Sequence, residues 1–165
     1  MEIRITRVHG NRQYSKPIPI QSGKGKVDIA IQKFNYASGD TISGNVALTL
    51  KKPVKARELS ISLIGEQRIT QEQATKSRSI LGYEKSQGTS TNTKSVYEFK
   101  QQLDGEKEYS QGGEYHFEIK IPADTLDKGA QTGAIQFSPA MWYLVAKLDI
   151  PGGLDIGKKV QVTIG

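Results

Sequence analysis

The chain has 165 residues and a mass of 18.2 kDa, enough for one ordinary domain that buries a core without staples. It contains no cysteine, which excludes a disulfide framework, a thiolate nucleophile and a cysteine zinc site. The net charge of +6 is unevenly placed: residues 1–26 hold Arg4, Arg7, Arg12, Lys16, Lys24 and Lys26 against Glu2, while the rest holds 17 basic and 16 acidic groups. The body is therefore nearly neutral. Only Tyr14 accompanies those cations as a stacking aromatic, which argues against nucleic acid and for a solvated basic arm.

From the amino terminus, Ile3, Ile5 and Val8 alternate with charged neighbours, which predicts an edge strand rather than the continuous apolar core of a secretion signal. Ser22-Gly23-Lys24-Gly25 reads as a hinge, so residues 1–26 form an arm or edge strand and residues 27–165 the domain proper. Val27, Ile29 and Ile31 then alternate with Asp28, Ala30 and Gln32. Ser38-Gly39-Asp40 supplies a residue tolerant of positive φ between two strands, and Val46, Leu48 and Leu50 share one face of the second. Lys51-Lys52-Pro53 ends that strand, since proline has no amide proton for a ladder.

Leu59, Ile61 and Leu63 mark a further strand. Residues 70–95 break the pattern, being polar and poor in branched aliphatics except for the island Ile80-Leu81-Gly82-Tyr83. The composition predicts a long mobile loop, with at most a short strand or hairpin at the island. Beyond it, Tyr115, Phe117, Ile119 and Ile121 alternate with Glu114, His116, Glu118 and Lys120, a strand with one wet face. Trp142, Leu144, Ala146, Leu148 and Ile150 form another such face, and residues 158–164 read as a last strand. The longest purely apolar run, residues 140–146, is far short of the roughly 20 residues a membrane helix needs. Short alternating strands between Gly, Pro, Asn and Asp turns predict an all-β sandwich with Val46, Leu48, Leu59, Ile61, Phe117, Ile119, Leu144 and Leu148 in its core.

Catalytic groupings are missing from this pattern. His9 and His116 lie far apart, and no histidine pair has metal-ligand spacing. Glu106 and Glu108, or Asp124 and Asp127, are simpler as solvated turn residues than as an acid/base pair. Gly23-Lys24-Gly25-Lys26 precedes a strand and so lacks the helix amino terminus of a phosphate loop. The expectation is a protein that is not an enzyme and needs no cofactor or metal.

Lys26-Val27-Asp28, the turn over 36–44, the strand over 57–66, Gly113-Glu114-Tyr115 leading to Ile121-Pro122, and residues 143–148 follow one another in a characteristic order. In that order the chain, from about residue 26 to 165, resembles the amino-terminal domain of the arrestin family. Its opening is also similar to the bacterial sporulation-control relatives of arrestins, and the arrestin-like retromer subunit shares the architecture. The resemblance implies an immunoglobulin-like antiparallel β-sandwich of arrestin amino-terminal-domain type, a single lobe, acting as a cytoplasmic adaptor or scaffold. It further implies that residues 70–95 are the counterpart of the loop by which arrestins engage their partner, with Ile80, Leu81 and Tyr83 as the binding residues. The partner is then a protein or peptide, membrane-associated proteins among the candidates. Two other readings stay open: a self-assembling sandwich whose free sheet edges pair between copies, and a binder of acidic lipid or nucleic acid through the basic arm. Salt dependence separates the last from the others, and concentration-dependent mass separates self-assembly from adaptor binding.

Overall fold

The alternation seen in the sequence resolves into twelve strands in the computed structural model, which describes residues 23–79, 81–124 and 129–165; no helix occurs among the described residues. In chain order they are β1 (Gly25–Ile31), β2 (Asn35–Tyr36), β3 (Thr41–Leu50), β4 (Val54–Ala56), β5 (Glu58–Ser79), β6 (Gly82–Asp104), β7 (Lys107–Tyr109), β8 (Gly112–Lys120), β9 (Ala130–Thr132), β10 (Ile135–Phe137), β11 (Met141–Asp149) and β12 (Ile156–Ile164).

One layer is the antiparallel sheet β1-β3-β8. The other runs β2-β12-β11-β5, with β6 on the far side of β5 and β10-β9 continuing beyond β11 along the near side. All eight residues expected in the core are buried between the layers, because period-2 strands turn every second side chain inward. The turn between β2 and β3 is fixed locally. Gly39 takes φ 86°, and the Asp40 carboxylate accepts the Ala37 N–H at 2.9 Å. That backbone donor, helped by Lys33, holds the Asp40 carboxyl below the usual carboxylate range.

The architecture departs from two antiparallel sheets in two places. β4 and β7 form a separate ribbon, because Pro53 closes β3 and releases the chain from its ladder. β2 pairs with β12 in parallel, where the N–H groups of Thr163 and Gly165 donate to the carbonyls of Phe34 and Tyr36 as the chain crosses between layers. The expected break at residue 26/27 also moves: Gly25 and Lys26 already belong to β1.

The largest correction concerns residues 70–95. They are strand, not loop: β5 and β6 pair from Leu59↔Asp104 to Ser79↔Gly82 in one long hairpin, with Leu81 in its turn and Gly82 and Tyr83 already in β6. Backbone pairing explains why a segment without an apolar face is still regular: each strand satisfies the other's N–H and C=O groups, and Thr, frequent here, suits a pleated surface.

Candidate functional site

Among the described residues the hairpin is flanked by other strands at its base and by none toward its tip. On the near side of β5, β11 reaches only to Glu66 and β10 only to Gln71. From Gln73 outward the arm is a two-stranded ribbon projecting roughly 20 Å.

Three contacts fix the base. Gly65 lies over the Trp142 ring, and a Cβ there would stand 2.9 Å from it; Tyr97, opposite Gly65, packs against the same ring with centroids 5.6 Å apart. Ser138 clasps the edge of β5. Its N–H donates to the Arg68 carbonyl at 2.8 Å, its hydroxyl accepts the Arg68 N–H at 2.9 Å, and its carbonyl accepts the Gln67 side-chain amide at 3.1 Å. On the outer face Lys159 pairs with Glu66 at 3.4 Å and lies 4.0 Å over the Tyr143 ring. A β-bulge on β6 at Val96 completes the bend, since Gly65 faces Tyr97 while Glu66 faces Ser95.

At the tip, Gly82 takes φ 130° and Leu81 is 98% exposed. Tyr83 occupies the β6 position opposite Arg78, and Ile80 lies outside the described residues. The structure thus brings the backbone of Leu81 and Tyr83 to the end of one ribbon. The basic arm is not comparable: Arg4, Arg7, Arg12 and Lys16 lie outside the described residues. Lys24 and Lys26 are parts of the sandwich, the Lys24 carbonyl accepting the Lys51 N–H at 2.9 Å and Lys26 pairing with Asp28 at 3.4 Å.

A second feature escaped the sequence pattern. Beside the β4–β7 ribbon an open cleft of about 600 Å3 is lined by Lys55, Ala56, Arg57, Glu106, Lys107, Glu108 and Pro151. Two of its cations are engaged: Lys107 binds Asp104 at 2.6 Å and Arg57 binds Asp149 at 3.7 Å. Lys107, with the N–H of Gly105 and the Tyr115 hydroxyl, holds the Asp104 carboxyl below its ordinary range. Burial, then Asp104, pushes the Tyr109 phenol up to about 12. This cluster is structural glue between β6, β7 and β8. Among the described residues no group of His, Asp or Glu could hold a metal ion, and no helix is long and apolar enough to cross a membrane.

The sequence model of the arrestin (or S-antigen) N-terminal domain matches residues 25–132, a span that contains the whole hairpin. The chain belongs to the arrestin family. Its fold is similar to that of Spo0M, the sporulation control protein from Bacillus subtilis, with a TM-score of 0.53 and 20% identity over 87% of this chain and 50% of that one. This arrestin-type chain therefore spans about half the length of that solved relative. No curated protein sequence matches it. Arrestin-type folds are generally non-enzymatic and of adaptor or scaffold type.

Proposed function

We propose that this arrestin-type domain is a cytoplasmic, non-enzymatic interaction module that presents the tip of the β5–β6 hairpin, Ile80, Leu81 and Tyr83, to a protein or peptide partner. The observation that carries the reading is the 98% exposure of Leu81 at the end of a ribbon whose base is clamped by Trp142 and Ser138. An exposed apolar tip on a rigid support is suited to anchor a contact, while the polar flanks keep the free protein soluble.

The test is the combined substitution Ile80→Ser, Leu81→Ser and Tyr83→Ser in the full chain, with partner capture from the native cell and thermal melting measured side by side. Capture lost at unchanged melting temperature supports the tip as the binding element. Undiminished capture, or a large loss of stability, refutes it.

A further inference from the structure

We propose that two copies of this chain pair through the outer edge of β6, antiparallel and with Thr89 on the two-fold axis. The pairing goes beyond the tip-binding reading and does not rest on it.

Among the described residues β6 hydrogen-bonds to β5 alone, so its other edge is open along the arm. The backbone shows which groups that edge offers. The N–H of Glu72 donates away from β6 to Ala134, and the carbonyl of Arg68 accepts away from β6 from Ser138. Arg68, Thr70 and Glu72 therefore form non-hydrogen-bonded pairs with their β6 partners Thr93, Thr91 and Thr89. Those three threonines, and by the same period Gln87, Lys85 and Tyr83, direct their N–H and C=O groups to the open edge.

Natural edges are usually blunted by charge, proline or a covering element. Residues 86–93, Ser-Gln-Gly-Thr-Ser-Thr-Asn-Thr, have neither charge nor proline. Among the described residues the arm beyond Glu72 is also a two-stranded ribbon, a unit of marginal stability alone, which a second copy would convert to four strands.

Charge selects the register. With Thr89 facing itself, Glu84 of each copy stands opposite Lys94 of the other, two opposite-sign pairs at non-hydrogen-bonded positions, where side chains come closest. Sliding either way to the neighbouring allowed registers sets Glu84 opposite Asn92 or Val96 and loses both pairs. In the same register the ladder runs out to Tyr83 opposite Ser95, which carries Leu81 of each copy to the Val96 bulge of the other. Leu81, Val96 and Phe99 are 98%, 39% and 44% exposed, so the two ends of the paired span bring together the exposed large hydrophobics of the arm. Self-pairing and capture of a partner by the tip then compete for Leu81.

The absence of cysteine makes the register directly readable in the full chain. Thr89→Cys should form a disulfide dimer on mild oxidation, because paired Cα atoms about 5.5 Å apart suit the bond. Thr91→Cys should not, since the two copies of residue 91 lie roughly 13 Å apart in this register. Sedimentation equilibrium without any partner should show a concentration-dependent dimer, weakened roughly tenfold by Lys94→Glu or Glu84→Lys and restored when both are combined. Because no partner is present, failure here leaves the tip-binding reading standing. A monomer at every concentration, equal cross-linking at both cysteines, or no rescue in the double exchange would each overturn the proposal.

Discussion

Gly65→Ala tests how the arm is held to the body. An added Cβ would stand 2.9, 3.0 and 3.2 Å from three carbons of the Trp142 ring, whereas unstrained carbon contacts lie near 3.5 to 4.0 Å. The ring cannot yield freely, being 3% exposed and backed by Tyr97. Overpacking of this kind costs about 1–3 kcal/mol, and the stiffer unfolded chain of Ala over Gly returns about 0.4–1 kcal/mol. A net loss of about 1–2 kcal/mol is expected, which for a domain of this size lowers the melting temperature by roughly 3–6 °C. Trp142 is the chain's one tryptophan, so its emission reports the displaced ring without ambiguity. Combining the change with Trp142→Phe, whose smaller ring makes room, should relieve part of the loss, so the two effects should not add. Unchanged stability together with unchanged emission would show that Gly65 has no steric role and that the ring does not support the arm as described.

The remaining predictions concern the body. Phe117→Ala removes one of the largest fully buried side chains and should cost about 3–5 kcal/mol by urea unfolding. Tyr109 has a folded pKa of about 12 against about 10 unfolded, so its contribution is complete below pH 10 and is lost as pH rises toward 12; Tyr109→Phe should flatten that alkaline decline in melting temperature. Asp104 is shifted the other way by Lys107, so its contribution is present above about pH 4 and is lost as pH falls through its depressed folded value; Asp104→Asn should make acid unfolding shallower but not abolish it, because Asp40 titrates in the same window.

What was legible in the sequence was wherever one strand face is dry and the other wet. The β8 alternation at Phe117 and Ile119, and that of β11 at Leu144 and Leu148, name their buried faces directly. The outer half of the hairpin was not legible for the same reason: residues 71–74 and 88–89 are exposed on successive positions, so both faces are wet and period 2 leaves no apolar trace. Its signals are of another kind, alternate threonines at 89, 91 and 93 and a glycine at the turn. Ser60 and Ser62 mislead in the opposite sense. They read as a solvent face, yet they are buried on the outer side of β5, where Lys147, Val145 and Lys100 stand opposite in the ladders and cover short side chains. The extra residues Val96 and Leu103 on β6 each shift the phase of alternation, a change that only the pairing with β5 reveals.

That the arm is a ribbon rather than a loop alters the energetics of whatever meets its tip. A loop of this length that ordered on binding would lose about 1–2 kcal/mol of backbone entropy for each residue fixed, enough to cancel most of a small apolar contact. In the hairpin the backbone from Gln73 to Ser79 and from Gly82 to Gly88 is already paired, so binding has only side chains to immobilise, at about 0.5–1.5 kcal/mol for each rotamer-rich one. A contact confined to the turn can then be useful without being large. The arrangement also separates two properties usually coupled in a small domain: stability resides in the Phe117, Leu144 and Trp142 layers of the body, while positions 73, 74, 81, 82, 88 and 89 of the outer ribbon are exposed and free to vary in chemistry. Substitutions at the tip should therefore move affinity with little change in melting, whereas substitutions at Gly65 or Trp142 should move both, because they alter the direction in which the ribbon points.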